Sequence, residues 1–224
     1  MKRYILVGIY GFLAILVLGA IAFKIFQPVQ VVPRIRIAPG FALTTQDGER
    51  LTNEDLRGKF VLYNFIYTGC PDPCNNLNQT MREIQGRLAE IDLGDIPIQF
   101  VTISFDSSND TPEILAAYAK SQGADLDHWN FVTSDSPVLL KTIIGGGFEA
   151  YYSQTEDGSF TFDPKFVLVD GWGIIRGEYR YQTTTPDPDR ILRHIGVMAE
   201  EVQNSKGAAS LAYEAAHYFL CYSP

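Results

Sequence analysis

The sequence predicts an α/β domain with a central mixed sheet flanked by helices, carried behind one N-terminal transmembrane helix. Three observations lead there. Two strand-length apolar runs, FVLYNFI at 60–66 and IQFVTISF at 98–105, are separated by an amphipathic helical stretch, which makes a parallel pair joined through a helix. A later run from Lys165 to Val169 turns at Asp170-Gly171 and returns through Ile174 to Tyr181 as an antiparallel partner. Finally, Tyr4 to Phe23 carries no charge and, at about 1.5 Å per residue, is long enough to cross a hydrocarbon core of about 30 Å.

Lys2 and Arg3 precede the apolar run, while Lys24, Arg34 and Arg36 follow it, so the charge bias for a cytoplasmic N-terminus is small. Ala20-Ile21-Ala22 has the small residues of a signal-peptide cleavage site, but the run is longer than a usual signal-peptide core, which favours an uncleaved anchor. Either way the domain that follows is expected outside the cytoplasm, and with the anchor uncleaved it is expected at the cell membrane, on its extracytoplasmic face. The predicted division is an anchor at 1–26, a tether at 27–39, the main domain at 40–204 and a helical extension at 205–224. The tether has three prolines and two arginines and reads as extended chain.

Within the domain, Gly40 to Thr52 alternates around Asp47-Gly48, a hairpin signal with Phe41 and Leu43 on one arm and Leu51 on the other. The first buried strand ends at Gly69. Asp72-Pro73 then reads as an N-cap followed by a first-turn proline, opening a helix with Leu77, Met81, Ile84 and Leu88 on one face. Asp110-Thr111-Pro112-Glu113 starts a helix to about Gln122, Trp129 to Thr133 is a short strand, and Ser136 to Ile144 is a helix ending in the glycines at 145–147. Tyr151 to Phe162 is polar and broken by glycine, so it reads as a loop. Pro186 to Val202 is a helix with Ile191, Leu192, Ile195 and Met198 inward, and the stretch beyond Gly207 has helical spacing with an apolar end.

Chemistry concentrates at Cys70 and Cys74. The placement puts Cys70 on the loop and Cys74 in the first helical turn, where free N–H groups and the helix dipole favour a thiolate, while Asp72 opposes it. A pair at this spacing can close as a disulfide or converge on one soft metal ion; a static buried disulfide is the bland alternative. Of the other candidate ligands, His128 reads as an exposed loop residue and His194 as a solvated or capping one. His217 and Cys221 share a helix face at a spacing that can hold a metal, but two ligands alone fit an aromatic packing face as well. Met81 reads as core. The net charge of −8 argues against nucleic acid as a partner.

In three stretches the chain resembles the Sco/SenC family, membrane-anchored proteins of thioredoxin-like fold linked to copper delivery for cytochrome c oxidase assembly. They are APGFALTTQDGERLTNEDLRGKFVLYNFIYTGCPDPC, VTISFDSSNDTPEILAAYAKSQGA and DPKFVLVDGWGIIRGEY. The resemblance implies a thioredoxin-like fold, Cu(I) bound by Cys70 and Cys74 with a histidine before the late strand, and a partner in the oxidase copper-site subunit or another extracytoplasmic thiol or copper protein. Counting back from Asp170, the histidine position falls at Phe162, with Asp163 next to it. Pro164 matches the proline that such folds set opposite their cysteines, commonly in cis.

Two thiolates suit Cu(I) and are a poorer cage for Cu(II) than a site with imidazole. The same pair can instead act as a thiol–disulfide oxidoreductase, with Cys70 attacking a partner's disulfide and Cys74 resolving the intermediate. A third class is a non-catalytic scaffold whose surface changes with the disulfide; peroxidase chemistry is more distant.

Overall fold

The computed structural model describes residues 2–26, 29–70, 73–180, 187–207 and 209–219. In chain order the elements are helix α1 (Lys2–Phe26), strands β1 (Arg36–Ile37), β2 (Ala42–Thr45), β3 (Arg50–Thr52) and β4 (Phe60–Ile66), helix α2 (Cys74–Gly86), β5 (Ile98–Ser104), α3 (Pro112–Ser121) and β6 (Trp129–Thr133). There follow α4 (Pro137–Leu140), β7 (Tyr152–Gln154), β8 (Phe160–Phe162), β9 (Lys165–Val169), β10 (Ile174–Arg180), α5 (Pro188–Asn204) and α6 (Ala209–Phe219). Eight strands form one sheet in the order β1-β10-β9-β4-β5-β6-β2-β3, and β7 with β8 makes a separate ribbon.

The sheet is mixed, as expected. Strand β4 pairs in parallel with β5 from Phe60 opposite Ile98 to Ile66 opposite Ser104, and antiparallel with β9 on its other side. Because side chains alternate across a strand, β4 feeds two cores. Phe60, Leu62 and Ile66 face Leu77, Met81 and Ile84 of α2, Leu115 of α3, and Ile191, Ile195 and Met198 of α5. Val61, Tyr63 and Phe65 face the opposite layer with Leu140, Ile143, Ile144 and Phe148. Each such buried side chain contributes about 1.5–3 kcal/mol, which is why a seven-residue strand buried throughout anchors the domain.

The expected hairpin is present, with Leu43 opposite Leu51 and Gly48 at positive φ in its turn. The later pair β9–β10 is antiparallel as expected; Tyr181 lies outside the described residues. Helix α3 is capped by Thr111, whose side chain accepts from the Ile114 N–H. Pro73 occupies the N-cap of α2 and not its first turn, Asp72 lies outside the described residues, and Leu88 falls in a 3₁₀ turn after the helix. Helix α4 runs on as a π-helix over Lys141–Gly147, with the Phe148 N–H reaching back to the Ile143 carbonyl at 2.9 Å. A side chain at Gly147 would collide with the Pro39 ring, so glycine there serves close packing. Helix α5 opens at the Asp187 N-cap; Pro186 is outside the described residues.

Two segments differ from the sequence reading. Residues 151–162 are a β-hairpin and not a loop: Asp157 accepts from the Ser159 N–H and hydroxyl, Gly158 takes positive φ, and Tyr152, Phe160 and Phe162 turn inward on aromatic partners. The polar turn masked an alternating aromatic ribbon. The described part of the expected tether is packed on the domain. Val31 and Val32 are fully buried, the Val32 carbonyl accepts from Arg176, and Arg36–Ile37 pairs with β10 as the edge strand. The residues of α1 whose side chains are described, 4–19 and Ile21, are exposed. Among the described residues no helix is long and apolar enough to cross a membrane.

Candidate redox and metal site

Cys70 and Cys74 are joined as a disulfide, with Cα atoms 5.8 Å apart. Strand β4 delivers the chain to Tyr67, a short turn follows in which the Cys70 N–H donates to the Tyr67 carbonyl at 3.2 Å, and Cys74 begins α2. Both cysteines are buried; Cys70, at 5% exposure, is the slightly more accessible one, and Cys74 is fully buried. Both cysteines belong to the same buried cluster as Leu77 of α2.

A buried carboxylate holds the loop from beneath. Asp110 Oδ2 accepts from the Thr68 N–H at 2.9 Å, and the hydroxyls of Thr68 and Ser104 also donate to this carboxylate. Asp106 in turn shapes the loop that presents Asp110. Its Oδ1 accepts from the N–H groups of Ser108 and Asn109, and its carbonyl accepts from the Asp110 N–H. In the sequence Asp110 reads only as part of a helix start and Asp106 carries no assigned role. The signal was there in the spacing of Asp106 and Asp110 after a strand end.

A second polar chain fixes α2. Asn78, one turn after Cys74, accepts from Asn64 at 3.2 Å and donates to the Tyr118 hydroxyl at 2.8 Å. Asn64 accepts from Thr102, which accepts from the Trp129 indole at 2.8 Å. Burial pushes the Tyr118 hydroxyl up to about 12, so it stays protonated in this network. A buried polar chain with its groups paired is rigid and costly to break.

Phe162 ends β8, half-buried, and packs against both cores, including the cluster that contains Cys70 and Cys74. Its ring centroid lies 6.3 Å from that of Tyr67 and 5.2 Å from that of Phe105. Phe160 and Tyr152 complete the aromatic group. The neighbouring Asp163 has one buried carboxylate oxygen, Oδ1, with no hydrogen-bond partner. Beyond Pro164, Lys165 is fully buried, donating to the Phe148 carbonyl at 2.6 Å and to Glu178 at 3.1 Å; burial pulls its pKa down against the opposing pull of Glu178.

The remaining candidates lie elsewhere. His128 is an exposed loop residue, as expected. His194 is not solvated: it is buried, its Nδ1 is 2.7 Å from the Tyr179 hydroxyl, and burial with Arg190 and Arg193 nearby lowers its pKa to about 4. The apolar face of α5 took in a residue that its arginine neighbours made look exposed. His217 Nε2 lies 2.8 Å from Glu201 Oε1, and Cys221 lies outside the described residues. Met81 is buried core. Among the described residues no group of three or more His, Cys, Asp or Glu gathers to hold a metal ion.

A mixed sheet of this order, with a cysteine pair between a central strand and the helix after it, defines a thioredoxin-like protein. The SCO1/SenC family model matches residues 31–200, and the chain belongs to that family. It is 28% identical over 153 residues to the SCO1 protein homolog of Bacillus subtilis, covering 67% of this chain and 77% of that one. Further SCO2-like relatives from Rickettsia species are matched over about two fifths of their length. The structure of BsSco, described as a Sco-family cytochrome c oxidase assembly protein with a disulfide switch, superposes with TM-score 0.65 at 26% identity, covering 75% of this chain and 96% of that one. The copper-bound ScoI of Bradyrhizobium japonicum gives TM-score 0.53 at 26% identity over 71% of this chain and 99% of that one.

Proposed function

We propose that this chain assists assembly of the cytochrome c oxidase copper site, using Cys70 and Cys74 for thiol–disulfide exchange and as the two sulfur ligands of Cu(I) cargo. The observation that carries the reading is the closed pair itself, with Cys70 the more accessible of two buried cysteines, at the head of a helix in a Sco-family fold. Relatives of known structure are described as an oxidase assembly protein with a disulfide switch and as a copper-bound protein, which supports both halves of the proposal. Tyr4 to Phe23 would anchor the chain in the membrane with the domain on the extracytoplasmic side.

In the exchange, Cys70 loses its proton to solvent and its sulfur attacks one sulfur of the partner's disulfide. The partner's other sulfur leaves and takes up a proton. The Cys74 thiolate then attacks the Cys70 sulfur, which releases the partner as a dithiol and leaves the Cys70–Cys74 disulfide. Two electrons and two protons pass to the partner. Cu(I), as cargo, fits the reduced pair because it accepts two soft sulfurs at low coordination number.

A metal-independent oxidoreductase is the second reading, and Phe162 favours it. An aromatic ring packed on Tyr67 and Phe105 supplies no donor where the family resemblance implies an imidazole. The experiment that separates them is an anaerobic Cu(I) titration of the reduced chain against a competing chelator, with Cys70→Ser and Cys74→Ser alongside. Tight one-to-one binding lost in both variants supports the carrier. No competitive binding by folded protein overturns it and leaves exchange.

A further inference from the structure

We infer that Asp110 is a positioning residue that couples the placement of Cys70 to the redox state of the pair. Its carboxylate is 2% exposed and takes three donors from two separate segments, Ser104 at the end of β5 and Thr68 two residues before Cys70. Asp110 is itself fixed through Asp106. The inference rests on the exchange reading only in taking the pair to be reducible.

The two cysteines are restrained unequally. Cys74 belongs to a helix pinned by Asn78 to the sheet and to α3, and it keeps that support in either redox state. Cys70 sits on a short turn, bonded through its N–H to the Tyr67 carbonyl and packed on the core, and two further restraints tie that turn to other elements, the disulfide to α2 and the Asp110 contact at Thr68 to the β5–α3 loop. Once either restraint is made, most of the turn's conformational entropy is already lost, and the other forms at lower cost. Coupling of this kind is reciprocal: if the disulfide steadies the Asp110 contact, the Asp110 contact steadies the disulfide by the same factor.

The substitutions needed to test this differ in a useful way. Asp110→Asn keeps the shape and, with its carbonyl oxygen in the Oδ2 place, an acceptor for the Thr68 N–H and the Ser104 hydroxyl, while the Thr68 hydroxyl can rotate to accept from the new amide. Asp110→Ala removes the contact altogether. Thr68→Val removes one donor and keeps the backbone one.

The full chain in detergent is equilibrated with glutathione and its disulfide. Two glutathione thiols supply the two electrons and two protons that reduce the pair and leave as one glutathione disulfide. The oxidised fraction is read from alkylated peptides carrying Cys70 and Cys74, so Cys221 does not interfere. Asp110→Ala is expected to shift the equilibrium toward the dithiol by about tenfold and Thr68→Val by about threefold, with Asp110→Asn near wild type. Melting of the oxidised form should then suffer more than melting of the reduced form. A purely structural aspartate would lower both melting temperatures equally and leave the glutathione equilibrium unmoved, and that result overturns the inference. If Asp110→Ala does not fold, Thr68→Val decides by the same two readouts. A wild-type pair that glutathione cannot reduce would instead overturn the exchange reading, and the inference with it.

Discussion

The Phe162 ring meets Tyr67 edge-on, with centroids 6.3 Å apart and planes at 84°, three residues before Cys70 on the cysteine loop. Counting back from Asp170 puts the histidine that the family resemblance implies at this position, and the ring found there packs beside the cysteine loop. Phe162→His is expected to tighten copper binding to the reduced chain, measured by chelator competition. The lost aromatic packing should cost about 1–2 kcal/mol in denaturant unfolding. Unchanged copper affinity in a folded variant would show that the third-ligand position lies elsewhere.

The unequal exposure of the cysteines predicts unequal reactivity. With the pair reduced, iodoacetamide should modify Cys70 in the Cys74→Ser variant at least several times faster than Cys74 in the Cys70→Ser variant, followed by peptide mass. Equal rates would contradict the assignment of Cys70 as the attacking thiol.

Arg176 ties four segments together and is almost fully buried. It donates to Asp170 at 3.0 Å, to Glu201 at 2.6 Å and to the Val32 carbonyl at 2.6 Å. Removing one partner of a buried ion pair leaves the other charge stranded, so Arg176→Ala should destabilise the domain by about 3–5 kcal/mol. Limited proteolysis should show earlier cleavage near residues 29–35 than in the wild-type chain.

His194 gives the fold a pH dependence whose sign is set. Its folded pKa, lowered to about 4 by burial and by Arg190 and Arg193, lies below the ordinary histidine value of about 6.5. Between those values the unfolded chain binds a proton that the folded chain refuses, so stability is present in full above pH 6.5 and falls as the pH drops toward 4. The loss from this group is at most about 3 kcal/mol. Urea midpoints at pH 7 and pH 4.5 should differ less in His194→Gln than in wild type; equal differences would remove His194 from the account.

Strands β4 and β5 were legible because both their faces are covered, so their sequences carry continuous apolar runs that no surface strand would show. The cysteine loop was legible for a related reason, since the run ends abruptly at Gly69 and polar residues follow. The β7–β8 ribbon was not, because Thr155 to Ser159 dominate its composition and the inward aromatics are few and widely spaced. Likewise the burial of Val31 and Val32 depends on an arginine 144 residues later in the chain, and no local pattern announces a partner at that distance. The role of Asp110 is of the same kind: the motif is visible, but the donor it meets at Thr68 is brought there only by the pairing of β4 with β5.

The packing of Val31 also sets how far the domain can travel. With α1 seated in a bilayer as proposed, four residues lie between its end at Phe26 and the fully buried Val31, a span of at most roughly 17 Å when extended. The domain would then be on a short leash, held near the membrane surface with little freedom to swing outward. Its encounters would be confined to a thin layer in which partners arrive by lateral diffusion, and a protein whose target cysteines stand well above the membrane would be out of reach whatever its chemistry.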